Sequence, residues 1–210
     1  MKASHPFVRP QILRHDERGL PTMQTERLVL RIAWPRDLHA LVAFRRENKE
    51  HLAPWEPARD DRYYQEEAWR VRIIENQNSA ERDQAYGFVL CPLEEPARVI
   101  GVVNLRDVYR YFLQSAELGY AIDYRFEGQG LMTEALQAVM WFATVELGLH
   151  RIQACYMPAN LASARVLEKL GFEIEGRLRQ SLMVNGAWED HILTSYIAAS
   201  DSTRRNNHGY

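Results

Sequence analysis

Tyr124-Arg125-Phe126-Glu127-Gly128-Gln129-Gly130-Leu131-Met132-Thr133-Glu134 joins a strand-like run to the most regular helical pattern in the chain. Two glycines at a strand-to-helix turn let backbone N–H groups point outward with no Cβ in the way. With a helix N-terminus behind them they form a concave set of donors suited to phosphate. Thr133 adds a hydroxyl there. The spacing departs from two familiar loops. No Lys-Ser/Thr pair follows, as a P-loop requires, and the third glycine of a dinucleotide fingerprint is missing. Taken alone, a short Gly-x-Gly serves equally well as a tight turn.

The surroundings of this loop define the elements. Before it, Ala116 to Ile122 reads as a strand. After it, Leu131, Ala135, Ala138, Phe142 and Val145 recur every three to four positions. That spacing predicts one helix over 131–147, closed by Gly148 in the position of a left-handed cap. Further strands are read at Leu28–Ile32, Tyr86–Cys91, Val99–Leu105 and Ile152–Tyr156, with helices from Asp37 and over Glu66–Gln77 and Leu161–Leu170. Ser181–Val184 and Ile192–Ile197 form a closing hairpin marked by Asn185-Gly186. The order is strand, two helices, three strands, helix, strand, helix and hairpin. It predicts a mixed sheet of the α/β (α+β) class. Residues 1–24, broken by Pro6, Pro10, Gly19 and Pro21, are expected to be a flexible tail, and so is 200–210. The domain is placed at 25–199.

Composition limits the function. The chain has 210 residues, 46% hydrophobic and 26% charged, with a mean hydropathy of −0.41. This is core material for one domain. No run approaches the roughly 20 apolar residues of a membrane span, so no membrane partner is expected. Met1 to Gly19 lacks a secretory apolar run, and a cytoplasmic protein is expected. The net charge of −2 speaks against direct, sequence-specific nucleic-acid binding. Cys91 and Cys155 match no metal-ligand spacing, so no metal is expected, and both are read as core residues.

The loop and a second segment, Tyr156-Met157-Pro158-Ala159-Asn160-Leu161-Ala162-Ser163 running to Gly171-Phe172, together resemble the GCN5-related N-acetyltransferase superfamily. Further phrases resemble its RimJ-type ribosomal-protein-alanine N-acetyltransferases. These are Thr25-Glu26-Arg27-Leu28, Glu47-Asn48, Pro54-Trp55-Glu56-Pro57, Leu118-Gly119-Tyr120, His150-Arg151-Ile152 and Trp188-Glu189-Asp190-His191. The resemblance runs from about Thr25 to Ser195. It implies a single GNAT-like domain, with a mixed, mostly antiparallel sheet and helices on both faces. It also implies acetyl-CoA as co-substrate, held by Gly128, Gln129, Gly130, Leu131, Met132 and Thr133 at the pyrophosphate. Ala121, Ile122, Asn160 and Ser163 lie further along the carrier. Glu127 and Met132 depart from the family's loop. Leu167 stands where many relatives place a tyrosine that protonates the departing thiolate, which leaves Ser163 as the replacement.

The implied acceptor is the N-terminal alanine of a small-subunit ribosomal protein, with association with the ribosome. Such an α-amine, with a pKa near 7.7–8.0, is already roughly a tenth neutral at pH 7, so one carboxylate suffices as base. Glu117 is the candidate; Glu56 and Asp190 are weaker ones. A solvated strand-edge carboxylate is an equally ordinary role for Glu117. Asn160 equally serves as a helix cap. Trp55, in a loop stiffened by two prolines, is read with Glu56 and Tyr120 as the acceptor wall, or else as a core aromatic. Two competing functions remain open: acetylation of a polyamine or aminoglycoside, and a ribosome assembly factor gripping RNA through Arg9, Arg14, Arg18, Arg204 and Arg205.

Overall fold

Tyr86, Phe88 and Leu90 enter one core, while Val89 and Cys91, alternating with them, enter a second core on the opposite face. Successive strand side chains point to opposite faces, so a sheet apolar on both sides must be covered on both. The structure, a computed structural model, describes residues 6–199. Its strands are β1 Ile12–His15, β2 Pro21–Gln24, β3 Leu28–Ile32, β4 Tyr86–Pro92, β5 Gly101–Tyr109, β6 Ser115–Ile122, β7 Arg151–Tyr156, β8 Glu173–Val184 and β9 Ala187–Ile197. They form one sheet in the order β1-β2-β3-β4-β5-β6-β7-β9-β8. Each neighbouring pair is antiparallel except β6–β7.

Helices α1 (Leu38–Glu47), α2 (Lys49–Leu52), α3 (Glu66–Glu81), α4 (Leu131–Trp141) and α5 (Leu161–Lys169) complete the fold. Leu38, Leu41 and Val42 of α1 and Trp69 and Ile73 of α3 fill one core. Ala135, Leu136 and Val139 of α4 and Leu167 of α5 fill the other. The predicted helix over 131–147 is α-helical only to Trp141; Phe142–Glu146 form a π-helical turn. Gly148 follows at φ +66°, the left-handed conformation expected of a helix stop.

The amino-terminal reading is corrected. Residues 12–15 form the edge strand, 21–24 pair with it and with β3, and Phe7, Leu20 and Met23 are buried in the core. The segment therefore adds strands that the reading from Thr25 onward omitted. Arg18, offered as part of an RNA handle, bonds Glu81 and Gln77, and Arg9 lies over Trp141. The proposed carboxy-terminal tail, with Arg204 and Arg205, lies outside the described residues.

Candidate active site

β6 and β7 pair in parallel from Ser115↔Arg151 to Glu117↔Gln153, and there the ladder ends. Both strands continue, β6 to Ile122 and β7 to Tyr156. They enclose a forked opening that leads into a cavity of about 1540 Å³. Every site residue predicted from sequence lines this cavity except Gln129 and the weaker candidate Asp190. The Gln129 side chain instead donates to the Arg125 carbonyl, and the Gln129 backbone carbonyl accepts from Arg27.

At the far end of β6 the glycine turn takes the conformation its sequence demands. Gly128 and Gly130 sit at φ +71° and +76°, and Gly130 caps α4. A Cβ on Gly128 would meet open space; one on Gly130 would approach only Arg27 Nη2, at 3.7 Å. The first amides of α4, on Leu131, Met132 and Thr133, have no carbonyl one turn earlier to bond. Room for an anion, positive-φ glycines and bare amides together fit a pyrophosphate. Glu127, the departure from the family loop, is drawn to His51, with Oε1 3.1 Å from Nε2.

Two flanking phrases of the sequence turn out to fasten this loop. Glu134 accepts from the Thr25 hydroxyl at 2.6 Å, the Arg27 amide at 2.8 Å and Arg27 Nε at 2.6 Å. Burial would raise its pKa, but these bonds from Thr25 and Arg27 hold it below the usual value. Asn48, fully buried, accepts from the Tyr124 amide, and Glu47 pairs with Arg125. Arg27 and Asn48 do not line the cavity but hold its loop, a role that sequence reasoning missed although both stood inside quoted phrases.

Glu117 is exposed and lies at the fork itself. Its register partner on β5 is Arg106, whose Nη2 lies 3.4 Å from where a Cβ of Gly119 would stand. Cys155 is corrected from core residue to exposed cavity wall: β7 is still paired with β9 there, but its pairing with β6 has already ended. Partial burial raises its thiol pKa, and the nearby Glu117 charge raises it further. Cys91 is buried as expected, its thiol pushed up to about 11 by burial.

Asn160 caps α5, its Oδ1 accepting from the Ser163 amide at 3.0 Å. The Ser163 hydroxyl lies 2.8 Å from the Tyr120 hydroxyl, which reaches it from β6. Burial pushes the Tyr120 phenol up to about 12, so it stays protonated. Leu167 is buried in the core. His191, also missed as a site residue, lines the cavity from β9 with Nδ1 3.0 Å from Ser181 Oγ. Its only sequence signal was the Trp188–His191 phrase.

Trp55 is half-buried, belongs to neither core and lines the cavity. Glu56 is paired with Arg45 at 3.1 Å, and Asp190 with Arg177 at 2.6 Å. The hairpin turn Asn185-Gly186, at φ +49° and +81°, reaches this side, and Asn185 Nδ2 donates to the Ala53 carbonyl at 2.8 Å. The cavity is electrically mixed: Arg45, Arg59, Arg106, Arg165 and Lys169 face Glu50, Glu56, Asp107, Glu117 and Glu127. Among the described residues no group of three or more His, Cys, Asp or Glu could hold a metal ion, and no helix is long and apolar enough to cross a membrane.

Parting strands that lead to a bare helix N-terminus suit an extended donor with a phosphate at one end, such as a CoA thioester. Comparison with known proteins supplies the particular family. The model of the acetyltransferase (GNAT) domain matches residues 27–173. The chain is 37% identical over 173 residues to the [ribosomal protein uS5]-alanine N-acetyltransferase of Escherichia coli, covering 82% of this chain and 89% of that protein. It superposes on the ribosomal-protein-S5-alanine acetyltransferase of Vibrio fischeri with a TM-score of 0.82 at 33% identity, covering 85% and 97% of the two chains. For Mycobacterium smegmatis RimJ in complex with CoA-disulfide the TM-score is 0.76 at 31% identity, covering 81% and 82%. The chain belongs to the GNAT acetyltransferase family and is an N-acetyltransferase.

Proposed function

We propose that this protein transfers the acetyl group of acetyl-CoA to the N-terminal amine of a ribosomal protein beginning with alanine, by direct attack in a ternary complex in the cytoplasm. The observation that carries the reading is the exposed Glu117 carboxylate at the fork, faced in register by the cation Arg106. A single carboxylate suits an α-amine that is already partly neutral. A polyamine or aminoglycoside would call for grouped free carboxylates, whereas of the five that line the cavity Glu56 and Glu127 are paired with Arg45 and His51, and five cations share the lining. The uS5-alanine-acetylating relative at 37% identity supports the same acceptor.

Acetyl-CoA supplies an activated thioester carbonyl. The Gly128–Gly130 turn and the first amides of α4 hold its pyrophosphate, with Arg27 beside them. Asn160 Nδ2, free of the capping bond that its Oδ1 makes, donates to the pantetheine arm. Glu117, directly or through one water, takes the proton that the amine sheds as the C–N bond forms. β6 amides beyond Glu117, which lack a β7 partner, donate to the carbonyl oxygen as it gains charge. Ser163, backed by Tyr120, gives a proton to sulfur as the C–S bond breaks. Trp55 walls the alanine side chain.

The test is mass spectrometry of a purified small-subunit ribosomal protein that begins with alanine, after incubation with enzyme and acetyl-CoA. One acetyl group on the first residue is expected. Acetylation confined to internal lysines would contradict the reading.

A further inference from the structure

A second, smaller cavity of about 150 Å³ adjoins the acceptor side of the fork, and the two share Arg45, Glu56, Arg59 and Tyr63 among their walls. Its lining is cationic: Arg45, Lys49 and Arg59 against the single carboxylate Glu56. Asp61, nearby, pairs with Lys49 at 3.4 Å but is itself 92% exposed, so it neutralises little.

Arg45 is the distinctive member. Its side chain is only 9% exposed, held among aromatics, with its guanidinium carbon 5.3 Å from the Phe44 ring centre, 5.9 Å from Tyr63 and 5.5 Å from Trp69. Among the described residues only Nη1 is hydrogen-bonded, to Glu56 at 3.1 and 3.5 Å. Nε is buried with no partner, and Nη2 makes no hydrogen bond. The Nε–Nη2 edge of a guanidinium is one of its two-pronged carboxylate-binding edges, and here it has been left without an acceptor. Nε is closed off within the core, whereas Nη2 is left to take an acceptor that arrives from the pocket. Arg59, 4.9 Å over the opposing Tyr63 ring and without an ion pair among the described residues, adds a second cation to the same pocket.

From this arrangement we infer that the side pocket binds an acidic side chain of the acceptor, seated on Nη2 of Arg45 with Arg59 beside it. The enzyme therefore selects N-terminal segments that carry an aspartate or glutamate shortly after the acetylated residue. The inference rests on the peptide-acceptor reading above and adds to it a charge requirement.

The experiment is a glutamate scan. Alanine-initiated peptides carry one Glu at each of the second to fifth positions in a neutral background, with Gln and Lys at the same place as controls. For the wild-type enzyme, Glu at one position is expected to raise kcat/KM about tenfold over Gln, with Lys lowest, and added salt should shrink the preference. In Arg59→Gln and Arg45→Lys the Glu-to-Gln ratio should fall toward one. A purely structural defect would lower both rates together and leave the ratio intact. Arg45 packs in a core, so Arg59→Gln decides the matter if Arg45→Lys does not fold. Equal rates for Glu, Gln and Lys at every position would overturn the inference while leaving N-terminal transfer standing. So would a Glu preference undiminished in Arg59→Gln. Activity on small amines with none on any peptide would overturn both.

Discussion

Replacing Gly130 by aspartate puts a carboxylate in the turn proposed to hold the pyrophosphate. Gly130 sits at φ +76°, and its added Cβ would lie 3.7 Å from Arg27 Nη2, an ordinary contact. The cost to folding is therefore conformational: a non-glycine residue in the left-handed region loses about 1–2 kcal/mol. In a domain of this size that lowers Tm by roughly 2–8 °C. Gly130→Ala isolates this cost and should weaken acetyl-CoA binding less than about tenfold. The aspartate adds repulsion. At about 5 Å and an effective dielectric near 20, one phosphate charge and one carboxylate repel by about 3 kcal/mol. Arg27 cancels part of this, and a roughly hundredfold loss of acetyl-CoA affinity remains. Isothermal titration of both variants and the wild type, with Tm measured alongside, separates the two effects. If the aspartate variant shows the Tm shift but binds acetyl-CoA with wild-type affinity, the turn does not hold the pyrophosphate.

Other consequences concern the reaction and the packing. Glu117→Gln should lower kcat by about a hundredfold or more, with acetyl-CoA affinity unchanged. Ser163→Ala and Tyr120→Phe should each reduce kcat about tenfold or more, and the double variant little further, because the two hydroxyls act as a bonded pair. Additive losses would show that they act separately. Glu175 is bonded by Arg151 and Ser195, which bring its pKa down to about 2. A depressed carboxylate stabilises the fold above its ordinary value of 4.5 and loses that contribution as pH falls toward 2. Glu175→Gln should therefore be less stable than wild type at neutral pH in urea titrations, with the gap closing between pH 4.5 and 2.

The residues that fixed their own backbone were the easiest to read. Asn185-Gly186, both at positive φ, forms the two-residue hairpin turn that this pair favours, and Gly148 ends its helix left-handed. The glycine turn was recognisable because few other residues tolerate φ near +70°. β1 and β2 escaped notice because each is four residues long and β1 has no residue fully buried, so no alternation could emerge among the prolines. Their place depends on pairing with one another and with β3, and on Phe7 and Met23 entering the core. β8 was read too short for a similar reason: of its twelve residues only Val184 is buried, so its periodicity carries no signal. Cys155 was misjudged because an apolar run cannot disclose that its neighbouring strand has turned away. The bond between Tyr120 and Ser163, 43 residues apart, is likewise visible only once the strands are assembled.

Release of CoA thiol, followed with acetyl-CoA saturating, tests the acceptor most directly. The acceptors are peptides beginning with alanine, serine and methionine, a polyamine and an aminoglycoside. Turnover is expected with the alanine peptide above all, with serine second and the small amines near background, and it should disappear in Glu117→Gln. Rapid turnover of the polyamine or aminoglycoside, with the peptides inert, would contradict N-terminal acetylation and make this fork a site for small amines.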